Sequence, residues 1–467
     1  VLNRAVILIS VCAGYFVLIA CTGYFVRRHA ANSKAFVTGG KHFSPKVIAA
    51  LLVSESIGTS ITVGTAQTGF ERGLTAAWVV IALAIGFLLL GWTLVERYRS
   101  TGLHTISAIL EQNYGRSVRY GASVMTIFSL SIVTVALYAA GGALLGAILG
   151  LGHVTATLIV GAVAIFFVTI GGFRSVVYTN TLNAILKYVG VVLALAFALS
   201  ASGGYSRLQV ALPAHMFDVM DVGISKIIAW VLAGSGAMFA SQYVIQGVVT
   251  VADARAAKRA CYYASAMLVP FGIGVALIGL CSAHLYPGIR SIDAFPAVIA
   301  HMPAFAASIV VIGLAGALFG GISAATVASS TLLLRDFYEL RRAGTVDEKR
   351  SLRFIRIATI VMGILPLILA LFASKILLIA FLGKALRGTL AVLIVLCFYA
   401  PKFGTSRGAL AGIVLSTVST TAWFVAGNPF GIDSSYFAFV SPLVTMTVSH
   451  LHRQIGQRRR PPTQSLL

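Results

Sequence analysis

About thirteen apolar runs fill most of this 467-residue chain, near 5–26, 46–70, 74–96, 121–148, 154–171, 177–200, 224–250, 260–286, 304–334, 354–373, 377–400, 406–426 and 434–450. A run of about 18 apolar residues or more is long enough to cross a bilayer as a helix. Within lipid every backbone N–H and C=O must be satisfied by the protein itself, and runs of this length do so as helices. With 58% of its residues hydrophobic, the composition excludes an ordinary soluble protein. The expected fold class is an all-α, multi-pass membrane protein.

Its net charge of +22 invites a nucleic-acid reading, which the distribution of charge defeats. One alternating set of loops carries about 26 basic residues and the other about six. The positive-inside rule makes the rich side cytoplasmic, with the N-terminus outside and the C-terminus inside, across what is expected to be a bacterial inner membrane. Arg27-Arg28 follow the first run without a small-residue cleavage motif, so that run reads as a retained helix rather than a signal peptide. The expected organisation is a first helix and cytoplasmic loop (1–45), one repeat (46–200), a second (201–400), and two peripheral helices with a basic tail (401–467).

Four charged residues lie deep inside the runs: Glu55, Lys187, Lys384 and Arg387. A charge at the centre of a bilayer costs at least about 2.5–3.5 kcal/mol, so each must face protein, water or a ligand. The spacing of Lys384 and Arg387, three residues apart, puts both on one helix face. Three buried cations against one carboxylate leave an excess of positive charge, which favours an anionic solute. Arg387 with Lys384 is a candidate carboxylate clamp, since Arg binds carboxylates bidentately. The alternative is a lipid-phosphate contact or a gate brace. Glu55 is left open between substrate amine, coupling proton and simple charge balance.

Nothing points to an enzyme. No nucleophile–base constellation or phosphate loop stands out, the nine histidines make no metal-ligand spacing, and the five cysteines form no CxxC. No metal or cofactor is expected beyond a coupling ion, H+ or Na+. The expected partners are a small-molecule substrate and the lipid bilayer, with no nucleic acid and an open oligomeric state.

Two runs carry polar, glycine-rich centres: Ser54-Glu55-Ser56-Ile57-Gly58-Thr59-Ser60 in the second and Gly234-Ser235-Gly236 in the seventh. Paired helix interruptions in two halves mark a transporter site between inverted repeats. The competing explanation is close helix packing, which is preferred for Gly142, Gly146 and Gly150.

Three further motifs occur in order: Gly171-Gly172-Phe173-Arg174-Ser175-Val176-Val177-Tyr178-Thr179-Asn180, then Gln242-Tyr243-Val244-Ile245-Gln246 with Ala256-Ala257-Lys258-Arg259, and Ser329-Ser330-Thr331-Leu332-Leu333-Leu334-Arg335-Asp336-Phe337-Tyr338. Together they resemble the sodium:solute symporter family from about Phe36 to Arg407. That resemblance implies a five-plus-five inverted-repeat, LeuT-like core, with the solute between the second and seventh spans. It places Glu55, Ser56, Ile61, Gly234, Ala237, Met238, Ser241, Lys384 and Arg387 around the solute. The family's sodium position falls on Ser54, Ile57, Ala317, Gly320 and Gly321.

Gly320 and Gly321 stand where the family carries hydroxyls, and Asn180 stands where it carries an acid. Sodium prefers hard oxygen ligands, which glycine does not supply. Lys187 lies seven residues beyond Asn180, roughly 10 Å deeper along a helix. In sodium-independent relatives of the wider fold a basic side chain from this helix takes the ion's place. The resemblance thus implies a secondary transporter of a carboxylate or amino-acid-like zwitterion, sodium-independent or proton-coupled, with Lys187, Asn180 and Glu55 as coupling candidates. The stacking aromatics of the family's sugar carriers are replaced by Ala237 and Met238, which argues against a sugar. The alternatives are a conventional sodium-coupled symporter and, from another class, a transporter-like sensor subunit with a signalling partner.

Overall fold

A computed structural model describes residues 43–458 except 104, 150, 341–346 and 373–375, together with residues 6, 7, 10, 11, 13–15 and 17. In chain order the helices are α1 Pro45–Ser56, α2 Thr59–Arg72, α3 Trp78–Thr93, α4 Val95–Ser100, α5 Ile106–Tyr114, α6 Arg116–Leu149, α7 His153–Ala201, α8 Tyr205–Ala211 and α9 Ile224–Phe239. They continue with α10 Gln242–Val249, α11 Ala254–Leu285, α12 Ala294–His301, α13 Ala304–Leu332, α14 Glu348–Ala370, α15 Ile376–Tyr399, α16 Ser406–Val425 and α17 Ser435–Arg458. Short polar residues open several of them. Ser44 caps α1 ahead of a proline at its first position, Thr105 caps α5, Asp253 caps α11 and Thr405 caps α16. Each side-chain oxygen accepts a backbone N–H that the helix start leaves without a partner.

Among the described residues, eight helices are long and apolar enough to cross a membrane, or nine when the bent pair α9–α10 is counted as one span. Most of the expected first span lies outside the described residues. The second and third runs join through a 3-10 turn at Gly73–Ala77. Gly73 is needed at that turn, because its φ is +69° and a Cβ would overlap the Met216 carbonyl. α7 runs on through Gly171-Gly172, across the boundary between the fifth and sixth runs. Glycine costs a helix only about 1 kcal/mol, and no proline breaks this stretch.

The two broken spans cross the middle of the bundle. α1 and α2 part at Ile57 and Gly58, inside the polar stretch of the second run. The seventh run does not break at Gly234-Ser235-Gly236, as the sequence suggests, but at Ala240 and Ser241, with a bend of 52°. The glycines serve packing instead. A Cβ on Gly234 would sit 2.7 Å from the Ala82 carbonyl of α3, and one on Gly236 would sit 2.7 Å from Gly388 of α15. Small residues let helix backbones approach this closely in a membrane, where dispersion and hydrogen bonds replace the hydrophobic driving force.

α13 is buried along most of its length, packing on α6, α7 and α14. The outer surface is apolar: Ile357, Val361, Ile364, Leu365, Ile368 and Leu369 of α14 are all exposed. Such a face is stable only against lipid or another protein. At the end of the bundle bearing the basic loops, α13 continues into a π-helical turn, Leu333–Glu339, that carries a fully buried Asp336. Asp336 Oδ1 accepts from Arg119 Nε at 2.8 Å and lies 2.7 Å from NH2 as an ion pair, and Oδ2 accepts from Ser107 and Ser123. Arg119 also reaches Glu111 at 2.5 Å and the Arg335 carbonyl at 3.2 Å. This hub ties α5, α6 and the π turn together.

Candidate functional site

The helix breaks expose backbone groups, and side chains take them up. α1 ends at Ser56, so its last carbonyls lack intrahelical donors. Lys187 Nζ, from α7, donates to the Ser54 carbonyl at 2.6 Å and to Ser54 Oγ at 3.0 Å. At the other break, Tyr98 OH donates to the Phe239 carbonyl at 2.5 Å. Thr59, the first residue of α2, donates to the Leu314 carbonyl of α13 at 2.7 Å.

A polar chain continues from Lys187. Ser54 Oγ donates to Asn180 Oδ1 at 2.7 Å, and Asn180 Nδ2 donates to Glu55 Oε1 at 2.7 Å. Asn183, one turn along α7, donates to the Gly316 carbonyl at 2.6 Å and accepts from Tyr15. None of the ion pairs among the described residues involves Glu55, Lys187 or Lys384. Glu55 and Lys187 are therefore joined through Ser54 and Asn180 rather than by direct contact.

Two matched stripes make this possible. Asn180, Asn183, Lys187 and Gly190 of α7 face Gly320, Gly316, Gly313 and Val310 of α13, antiparallel. A Cβ on Gly320 would overlap Asn180 Oδ1, and one on Gly316 would overlap Asn183 Oδ1. One on Gly313 would lie 3.2 Å from the Lys187 Cα. Gly320→Ala is accordingly expected to destabilise the fold by about 1–3 kcal/mol through overpacking. Gly321→Ala should cost less, since its Cβ would meet only the Leu137 side chain, at 3.0 Å. Unfolding temperatures of the two variants in detergent check the order.

On the other side of Glu55 lies a small cavity of about 40 Å³. Glu55, Ser56, Gly58, Ser60 and Ile61 line it from the broken span, Lys384 and Arg387 from α15, Gly321 and Ala325 from α13, Tyr243 from α10, and Leu130, Val133 and Leu137 from α6. Arg387 is buried, with Nε donating to Ser129 Oγ at 3.0 Å and NH1 donating to Ser241 Oγ at 2.7 Å. Its guanidinium carbon stands 5.9 Å from the centre of the Tyr243 ring. Lys384 makes no hydrogen bond or ion pair with any described residue.

The structure thus gathers Glu55, Ser56, Ile61, Lys384 and Arg387 on one cavity and brings Ser241 to it through Arg387. It does not bring Gly234 or Met238 there. Both pack on α3, where a Cβ on Gly86 would meet the Gly234 carbonyl and the Met238 side chain, each at 2.9 Å. Ala237 is buried, and its carbonyl accepts from Ser241. Met238 touches the site only as a 3.7 Å acceptor for Ser56. Ile57 and Ala317 are fully buried beside the break, and Ser54 is held by Lys187. Ser129 and Tyr243 are site residues that charge alone does not reveal. Asn183 was findable, because 180, 183 and 187 fall on one helix face. No group of three His, Cys, Asp or Glu that could hold a metal ion occurs among the described residues.

A model described as "SSF: Sodium:solute symporter family" matches residues 36–416. The chain belongs to that family. It is an integral multi-pass membrane protein, and it carries out secondary active transport of a small organic solute. The high-affinity proline transporter PutP of Bacillus subtilis (strain 168) is 22% identical over 432 residues, covering 87% of this chain and 89% of that one. The sodium/myo-inositol cotransporter of Canis lupus familiaris is 28% identical over 208 residues, 43% of this chain and 29% of its own length. Among solved structures, a Na+-coupled sialic acid symporter in a substrate-bound outward-open state superposes with a TM-score of 0.81 at 17% identity, over 96% of this chain and 98% of that one. Mhp1, a nucleobase-cation-symport-1 family transporter, superposes with a TM-score of 0.60 at 15% identity, over 90% and 94%. The sodium:solute symporter fold here is thus all-α and LeuT-like.

Proposed function

We propose that this family member carries a small carboxylate or amino-acid-like zwitterion, bound in the cavity between Glu55 and Arg387 and moved by alternating access. The observation behind this reading is the unbalanced charge of the cavity. Lys384 has no protein partner among the described residues, Arg387 bonds to neutral hydroxyls, and Glu55 is the one carboxylate lining the cavity. A buried cation without a counter-charge is costly, and a solute carboxylate on Arg387 and Lys384 offsets that cost. Glu55 is then available to a solute amine. The proline transporter's similarity over most of the chain supports the zwitterion.

The family's name carries sodium coupling, but the family's usual sodium position is poorly furnished here. Gly320 and Gly321 bring no hydroxyl, Asn180 fills the space beside Gly320, and the Ser54 carbonyl is taken by an ammonium group. In our reading Lys187 stands in for that ion, and transport is sodium-independent or proton-coupled. The thirteen-span organisation is part of the same proposal. Residues 46–200 and 201–400 form the two inverted repeats, with 1–45 and 401–467 peripheral. The N-terminus lies outside and the C-terminus in the cytoplasm of a bacterial cell.

Arg387→Ala tests the anion reading. A hydrogen bond to a charged group is worth about 1.5–3 kcal/mol, so affinity is expected to fall roughly 10- to 150-fold. A thermal-shift screen of carboxylates and amino acids against both proteins checks this. Equal shifts with the same compounds would end the proposal.

A further inference from the structure

We propose that Asn180 is a positioning residue, which presents the Glu55 carboxylate to the cavity and links its charge to Lys187 through Ser54. The argument starts from the direction of the hydrogen bonds. Lys187 has only protons to give, and it gives them to the Ser54 carbonyl and Oγ. Ser54 Oγ then has its own proton to donate and needs an acceptor, which is Asn180 Oδ1. An ionised Glu55 has only acceptors and needs a donor, which is Asn180 Nδ2. Each bond runs from the lysine towards the glutamate.

An amide is the side chain of this size that can accept at one end and donate at the other. An aspartate at 180 would accept from Ser54 equally well. It would then set a second carboxylate at 2.7 Å from Glu55, the present spacing of Nδ2 and Oε1. Like charges that close disfavour each other's ionised form. The asparagine, the glutamate and the lysine are in this sense one unit. Gly320 completes it, because any side chain there would overlap Asn180 Oδ1 and push the amide out of line. With Oε1 held by Asn180, no described residue hydrogen-bonds Glu55 Oε2, and the carboxylate borders the cavity. The role also explains why Asn180 is fully buried, although it makes no contact with the cavity itself.

The consequence for transport rests on the cavity being the solute site, so the decisive measurement reads Glu55 directly and needs no solute. Infrared spectra of the protein in lipid vesicles are compared with those of Glu55→Gln, whose missing band identifies the Glu55 carboxylate. Asn180→Asp fills the same volume but removes the N–H donor. The Glu55 band is expected to move in Asn180→Asp and in Asn180→Ala, and to move less in Ser54→Ala, which cuts only the link to Lys187. Thr62→Ala, which removes a nearby hydroxyl bonded to the Gly58 carbonyl, should leave the band in place. If Asn180 merely fills space, Asn180→Leu, which keeps the volume without adding a charge, leaves the band where it is, and that result overturns the proposal. An unmoved band in Asn180→Ala does the same if the leucine variant fails to fold. An equal shift in Thr62→Ala also overturns it. A band that moves as expected, in a protein whose compound binding ignores Arg387→Ala, would retain Asn180 in this role and discard the solute reading instead.

Discussion

Asp336→Ala is expected to destabilise the protein by about 3–5 kcal/mol, seen as a large drop in unfolding temperature in detergent. The figure follows from what the substitution strands. Asp336 is fully buried, accepts three hydrogen bonds, one each from Arg119, Ser107 and Ser123, and is ion-paired with Arg119. Arg119 would be left with Glu111 alone as counter-charge, and both serines would lose their acceptor. Removing one member of a buried pair costs far more than the pair contributes on balance, because a desolvated charge is left over. The double variant Arg119→Leu/Asp336→Leu should therefore recover much of the loss. Arg350→Ala, which breaks the exposed pair with Asp347 at 3.5 Å, should change little. A modest drop in Asp336→Ala, with no recovery in the double variant, would show that the hub does not hold α5 and α6 to the π turn.

Asp336 also shows where sequence reading stops. Beside Arg335, at the end of an apolar run, it looks like an ordinary loop charge, because nothing local says that a π turn carries it inward. The deep charges are different. Glu55, Lys187, Lys384 and Arg387 are visible because a bilayer penalises them wherever they point. The same logic makes the fold class legible, since apolar runs of this length have few ways to satisfy their backbone in lipid. The break at Ser241 is harder. Small residues both loosen a helix and let it pack closely, so Gly234-Ser235-Gly236 reads either way until the contacts with α3 and α15 decide. The stripe of Asn180, Asn183 and Lys187 and that of Gly313, Gly316 and Gly320 are each spaced in helical fashion. They acquire meaning only as a pair, and their antiparallel register is a tertiary fact. Ser129 and Tyr243 carry no formal charge, so no energetic penalty singles them out.

The second large effect is on transport. Lys187→Met keeps the length of the side chain and removes its charge and its protons. The Ser54 carbonyl, freed by the break after Ser56, loses its donor at 2.6 Å, and an unpaired buried acceptor costs about 1–3 kcal/mol. Glu55 loses the cation to which Ser54 and Asn180 connect it. On the proposed reading of Lys187, the broken span is then held neither by an ion nor by the ammonium group that replaces it. Uptake into proteoliposomes is expected to fall by about 100-fold or more, the equivalent of roughly 3 kcal/mol at 1.4 kcal/mol per decade. Wild-type uptake should be the same with potassium in place of sodium on both sides of the membrane. If wild-type uptake instead requires sodium and Lys187→Met retains it, Lys187 is a helix-packing lysine and the ion is bound elsewhere. If Lys187→Met alone becomes sodium-dependent, the ammonium and the ion compete for one position, as the Ser54 geometry implies.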